Sequence, residues 1–269
     1  MKSIVITGST RGIGFGLADA FLAEGCRVVV NGRSQESVDR ACAQLDEKYA
    51  PDLLHGFAAV VSEHSQVEAL WQYAAERLGT IDIWINNAGL GHDTEPFWNI
   101  PADEARAVIE ANVLGVTYGS QTAMRGMLQQ GKGQIYNMEG FGSGGHIRYG
   151  MSLYGTSKAA VSYLTKAMVE EAKESDILVG ALSPGMVMTD LVLDRFKDDP
   201  AELEKRKRIF NIIADSVDNV APWLAQRILS NEKQGARFAY MPPAKMIGRF
   251  MSAPFSKRDL FASIESDET

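Results

Sequence analysis

The chain has 269 residues, 45% of them apolar, and a formal net charge of −7. That length suits one large core in a single domain, residues 1–269, and the acidic balance speaks against nucleic acid as a partner. Its two cysteines, Cys26 and Cys42, show neither framework nor metal-ligand spacing, which excludes a disulfide scaffold and leaves no metal site to expect.

Met1-Lys2 leads straight into a strand at 3–7, so the reading is a chain without a leader, in a reducing, cytoplasmic setting. The strand runs into Thr7-Gly8-Ser9-Thr10-Arg11-Gly12-Ile13-Gly14, followed by a helical pattern at 12–24. Glycines 8, 12 and 14 permit a tight turn and a close backbone approach to a ligand. The helix start behind them offers free N–H groups and a positive dipole end to a phosphate. Strand, glycines and helix in that order point to nucleotide binding.

A second strand at 27–31 ends in Asn31-Gly32-Arg33-Ser34, with no acid to bond the ribose hydroxyls and repel a 2′-phosphate. Arg33 offers that phosphate a planar charged fork, with Ser34 and Arg11 as helpers. The expected cofactor is therefore NADP(H).

Further strands are expected at 53–59, 81–86, 133–138, 177–182 and 237–240, and helices at 35–49, 63–78, 102–129, 152–174 and 217–230. This alternation predicts a doubly wound parallel sheet covered on both faces, a three-layer α/β/α Rossmann architecture. The ligand then lies beyond the carboxyl ends of the strands, where Gly8, Asn87, Gly140 and Pro184 fall.

Between 190 and 215 the pattern changes. Asp198-Asp199-Pro200 breaks a charged helical stretch at 201–208, ahead of apolar Ile209-Phe210-Asn211-Ile212-Ile213. This insert is expected to cover the substrate as a lid. From about 241 a C-terminal extension mixes Met241, Met246, Ile247, Phe250, Met251, Phe255 and Phe261 with Lys245, Arg249, Lys257 and Arg258. Packing on its own subunit or a neighbour is the favoured reading, and docking on a membrane surface or greasy ligand the other. Residues 263–269 are polar and acidic and are expected to fray. No apolar stretch approaches the roughly 18 residues that cross a bilayer.

Tyr154 and Lys158 stand four apart in Leu153-Tyr154-Gly155-Thr156-Ser157-Lys158, which stacks them on one helix face. The ammonium favours the phenolate. A phenol so placed gives a proton to a carbonyl oxygen, or takes one from an alcohol, near neutral pH.

Four motifs in order, Thr-Gly-x-x-x-Gly-x-Gly at 7–14, Asn86-Asn87-Ala88-Gly89, Tyr154-x-x-x-Lys158 and Pro184-Gly185-x-Val187-x-Thr189, resemble the classical short-chain dehydrogenase/reductase family over residues 1 to about 240. The resemblance implies Tyr154 as acid/base, with Lys158 on the nicotinamide ribose. It also implies Asn112 as anchor of a water in the proton relay, and Val187 and Thr189 at the carboxamide. Asn87, Ala88 and Gly89 would line the adenosine side, and a homodimer or homotetramer would form through helices 102–129 and 152–174.

Two departures follow from the same comparison. Where the family carries an acid that reads adenine, this chain has Val60-Val61, and one lost hydrogen bond costs about 1 kcal/mol. Where the family carries a catalytic serine, this chain has Gly140. Ser143 and Glu139 are the candidates to replace that hydroxyl, each against the reading of a plain loop residue. The glycines of Glu139-Gly140-Phe141-Gly142-Ser143-Gly144-Gly145 suggest a roomy, flat site.

The stretch from 136 to 145, with Leu182 to Leu191, Phe210 to Ile213 and Tyr240-Met241-Pro242-Pro243, resembles chlorophyll b reductases, which use NADPH to convert a formyl group to hydroxymethyl. The resulting expectation is NADPH-dependent carbonyl reduction of a small molecule, the pigment formyl group being one candidate substrate. A general alcohol or ketone oxidoreductase is the nearer rival. A non-catalytic NADP(H) sensor is the rival of another class.

Overall fold

The computed structural model describes residues 1–92, 94–193, 200–253, 256 and 258–261. In chain order the first half holds β1 (Ser3–Ile6), α1 (Gly12–Ala23), β2 (Arg27–Gly32), α2 (Gln35–Asp46), β3 (Leu54–Ala58), α3 (His64–Leu78) and β4 (Ile83–Asn86). A short 3-10 turn, Phe97–Asn99, precedes α4 (Ala102–Ile109), a π turn at Glu110–Leu114, and α5 (Gly115–Gln130). Then come β5 (Gly133–Met138), α6 (Ser152–Glu171), β6 (Ile177–Ser183), β7 (Met186–Val187), α7 (Asp190–Leu193) and α8 (Pro200–Ile213). The chain continues through β8 (Ala214–Asp215), α9 (Val217–Leu229), β9 (Arg237–Ala239) and α10 (Pro243–Ser252).

Alternation along β1 decides the layering. Ile4 and Ile6 join one buried cluster, with Leu17, Phe21, Leu45, Leu224 and Ile228 of α1, α2 and α9. Val5 joins the other, with Leu70, Trp71, Ala123, Met127 and Met168 of α3, α5 and α6. Successive strand side chains point to opposite faces, so a strand apolar at every position must be covered twice. The result is a seven-stranded sheet ordered β3-β2-β1-β4-β5-β6-β9, all of it parallel. Strand order reverses between β1 and β4, which opens the crevice where ligands of such sheets bind.

The expected strands and helices are all present, within a few residues at their ends. The expected helix at 102–129 is broken by the π turn, where Gly115 N–H bonds Glu110 O. The widened turn carries Asn112, whose side chain is buried, and such turns often sit at functional positions.

The charged stretch before Ile209 forms α8, while Asp198 and Asp199 lie outside the described residues. Phe210 stacks on Phe261 with centroids 6.5 Å apart and joins Met188 and Ala214 in a small separate core. The extension from 241 forms α10, tied down by one carboxylate. Asp215, 2% exposed, takes Arg249 and Arg258 on its two oxygens at 2.5 Å each and the Tyr240 hydroxyl at 2.9 Å. Burial works against that charge, but these donors hold the carboxyl below its usual range. Ile247, Phe250 and Met251 of α10 stay exposed. Phe255, Lys257 and residues 263–269 lie outside the described residues.

Candidate active site

The glycine loop is shaped by contacts with the end of β4. Gly8 has φ +61°, and a β-carbon there would fall 2.6 Å from Ala88 Cα. A β-carbon on Gly14 would fall 2.4 Å from Asn87 Nδ2. Asn87 Nδ2 donates to Thr7 O and Gly8 O at 2.9 Å each, and Ala88 N–H donates to Thr7 Oγ1 at 3.1 Å. Two motifs far apart in sequence thus form one floor across the crevice. Gly12 (φ +58°) lies near Thr189, with 3.4 Å between its would-be β-carbon and Thr189 Cγ2.

No side chain caps α1, and its first turn carries no acid. The N–H groups of Gly12, Ile13 and Gly14 have no earlier carbonyl of the helix to bond, as an anion site requires. Ser9 is fully buried, its Oγ donating to Ile6 O at 2.6 Å and accepting from Asn31 N at 2.9 Å. Its hydroxyl therefore shapes the loop and does not reach a ligand.

At the far end of the loop, a cleft of about 360 Å³ is lined by Thr10, Arg11, Ser37 and Arg40 among others. Gly32 closes it: a β-carbon there would fall 2.5 Å from Thr10 Cγ2 and 2.8 Å from Ser37 Oγ. An acid at that strand end has no room. Arg33 is exposed with no hydrogen-bond or ion-pair partner among the described residues. Ser34 caps α2, its Oγ accepting from Ser37 N at 3.3 Å. Val61 is buried against Gly115, whose would-be β-carbon lies 2.7 Å from Val61 Cγ2, so only its backbone is left for a cofactor. The uncapped helix start, the glycine floor and this cationic cleft fit a nicotinamide dinucleotide.

Further along the crevice sits the phenol. Tyr154 is half-buried in the first turn of α6, and Lys158, one turn on, is 3% exposed. Lys158 Nζ donates to Met138 O at 3.1 Å and lies 5.8 Å from the Tyr154 ring centroid. A β-carbon on Gly89 would fall 3.5 Å from that Nζ, so the glycine after β4 lies beside the ammonium. Burial lowers Lys158 to about 8, partly offset by the charge of Glu139.

Asn112 joins these parts. Its Oδ1 accepts from Leu90 N at 2.7 Å, and its Nδ2 donates to Leu90 O at 2.8 Å and Ser157 Oγ at 3.0 Å. Both amide protons are spent, so the side chain staples the β4 loop to α6.

The absent serine leaves no hole. A β-carbon on Gly140 would fall 2.5 Å from the Tyr154 hydroxyl oxygen, so the phenol already occupies that space. Gly142 (φ +102°) brings the loop onto α6, with 2.4 Å between its would-be β-carbon and Gly155 Cα. These two glycines serve close packing, which corrects the expectation that they widen the site for a flat substrate. Ser143 Oγ accepts from Gly140 N at 3.2 Å and donates its only proton to Lys158 O at 3.0 Å. As placed, it has no proton for a substrate oxygen. Glu139 is buried and ion-paired with Arg237, so neither candidate is presented in place of the missing hydroxyl.

Sequence reasoning missed a buried polar network below the site. Asn86 Nδ2 bonds Ser120 Oγ at 3.0 Å and Asn137 Oδ1 at 2.8 Å, and Asn137 Nδ2 bonds Thr165 Oγ1 at 3.0 Å. It ties the ends of β4 and β5 to α5 and α6, so the strands that carry Asn87 and Gly140 are fixed relative to the helix that carries Tyr154. Polar residues at 86 and 137 inside apolar strands were the available signal. Pro184 is buried, Gly185 (φ +78°) turns the chain, and Val187, 3% exposed, pairs with Asp215 through β7 and β8.

A family model described as short chain dehydrogenase matches residues 2–200. The chain is 33% identical over 268 residues to the probable chlorophyll(ide) b reductase NYC1 of Oryza sativa subsp. japonica, covering 94% of this chain and 52% of that protein. It is 35% identical over 239 residues to chlorophyll(ide) b reductase NOL of Arabidopsis thaliana, covering 87% and 67%. The chain thus spans about half the length of the rice relative. Among solved structures, an actinorhodin polyketide ketoreductase with NADPH superposes with a TM-score of 0.80 at 26% identity, covering 89% of this chain and 95% of that one. With the glycine floor, the Tyr154–Lys158 pair and the parallel sheet in place around one crevice, the chain belongs to the short chain dehydrogenase family of oxidoreductases.

Proposed function

We propose that the chain is an NADPH-dependent carbonyl reductase whose substrate is a formyl group on a large ring, as in chlorophyll b. One observation carries the reaction type: the Tyr154 hydroxyl lies over Gly140, with the buried Lys158 ammonium one helical turn away, both at the crevice. The bound dinucleotide supplies the hydride to the carbonyl carbon. Tyr154 donates its proton to the carbonyl oxygen, and the Lys158 ammonium stabilises the phenolate left behind and returns a proton to it by way of water. Asn112, by fixing the β4 loop to α6, holds the two halves of the crevice at one spacing, which favours attack geometry. An intact acid and its counter-cation count against a purely sensory role.

Preference for NADPH is supported by Arg33, exposed and without a partner among the described residues, by the cleft with Arg11, and by the lack of space for an acid at Gly32. Related structures hold either cofactor, NADPH in the ketoreductase and NADH in a 3-ketoacyl-(acyl-carrier-protein) reductase from Brucella melitensis, so the preference rests on this chain's own residues. The ring-formyl substrate is supported by the two plant reductases and by the resemblance that the motif at 136–145 bears to chlorophyll b reductases. We further assign α8 as a cover over the substrate end. Its Phe210 packs on Met188, next to Thr189.

The test is NADPH consumption against a panel of aldehydes, ketones and a formyl-bearing tetrapyrrole. Turnover with the pigment and none with its methyl-bearing counterpart is expected, and consumption with no member of the panel would refute the assignment. Arg33→Ala is expected to weaken NADPH binding by roughly tenfold or more while leaving NADH unchanged, the size of a charge-assisted hydrogen bond. Equal losses for both cofactors, measured by fluorescence titration, would count against the 2′-phosphate role.

Gly140→Ser, which writes in the residue the family resemblance implies, separates the two views of the missing hydroxyl. Its β-carbon displaces the phenol, and a shift of about 1 Å costs on the order of 100-fold. Turnover should fall with NADPH binding unchanged, whereas a gain would mean that the hydroxyl is simply lacking.

A further inference from the structure

One buried carboxylate has no part in the chemistry just described. Glu139, directly past β5, is 5% exposed. Its N–H donates to Leu182 O at 2.7 Å, and its Oε2 lies 2.8 Å from Arg237 Nε on β9. Arg237 also donates to Ser183 Oγ at 3.1 Å, which fixes the pair between the carboxyl ends of β5 and β6 and the first residue of β9.

The backbone of Glu139 adjoins the Lys158 side chain. Lys158 Nζ donates to Met138 O, the carbonyl of the very peptide whose nitrogen belongs to Glu139. Lys158 Cγ lies 3.1 Å from the would-be β-carbon of Gly140, so the lysine side chain runs along backbone 138–140 with Glu139 at its midpoint. Among the described residues, Tyr154 faces Lys158 from its own helix, and the β4 loop and π turn bring Gly89 and Asn112, neither of which carries charge. Beyond Glu139, β9 brings Arg237, whose side chain is 52% exposed and so screened by water. Glu139 is 4% exposed at its side chain and is not.

A buried ammonium is costly unless a nearby anion supports it. We propose that Glu139, held in place by Arg237, is a positioning residue that keeps the Lys158 ammonium charged inside the dehydrated crevice. The opposing effects of burial and of Glu139 on Lys158 run in the directions this requires. The sign is fixed. Replacing the carboxylate by an isosteric amide preserves the bond from Arg237 Nε but removes the charge, so Lys158 loses its proton at lower pH.

The inference rests on Lys158 acting as a cation in the proposed reductase, but its test needs no turnover. The chain is labelled with [13Cε]lysine, the Lys158 resonance is assigned by its loss in Lys158→Met, and the midpoint is followed from about pH 6 to 11. Glu139→Gln should lower that midpoint by roughly half a unit or more, and an unchanged or raised midpoint overturns the proposal. Should Glu139→Gln not fold, Arg237→Gln decides, because it releases the carboxylate that Arg237 holds in place: the midpoint falls, and an unchanged or raised one overturns the proposal. Where turnover is measurable, the alkaline limb of the rate profile follows the midpoint in each variant. Absence of turnover on every substrate would fall on the functional assignment and leave the titration to stand by itself.

Discussion

Burying an ammonium beside a phenol at the open end of a parallel sheet is the constraint to which the rest of this molecule answers. Lys158 is almost fully covered, and its ammonium donates to the last carbonyl of β5. A charge in such a place is unfavourable by itself and persists only if its surroundings are fixed. The fold fixes them with the buried amides of Asn86 and Asn137 and the staple at Asn112. Each joins a strand end or strand loop to α5 or α6, so the sheet and the catalytic helix move as one body.

The same economy explains the glycines. Those at 8 and 14 let the loop after β1 touch the β4 end, and those at 140 and 142 let the loop after β5 touch α6. In each case absent side chains bring backbone and catalytic groups together, and the crevice runs between the two contacts. The family's orienting serine has no room here because the phenol stands in its place. Substrate orientation then falls to the shape of the crevice and to Tyr154 itself.

Much of this was legible in the sequence because β-branched runs punctuated by glycine admit few readings. Val28-Val29-Val30 can only be a strand buried on both faces, and a glycine-rich turn before a helix fixes where β1 ends. The π turn was not legible, since an extra residue in a helix leaves its apolar periodicity almost intact. The two-residue strands β7 and β8 are too short to have any periodicity. The role of Gly140 was misjudged for a related reason: a missing side chain looks like space in a sequence, and only the fold shows what fills it. Arg237 lies 98 residues from Glu139 and carries no local mark of their pairing.

The most direct test of the account is Tyr154→Phe, examined for both NADPH binding and turnover on the best substrate found. The loss of one hydroxyl should leave cofactor affinity within about twofold and lower turnover by roughly 100- to 10,000-fold, the range of a general acid. Turnover close to that of the unaltered protein would contradict the account at its root.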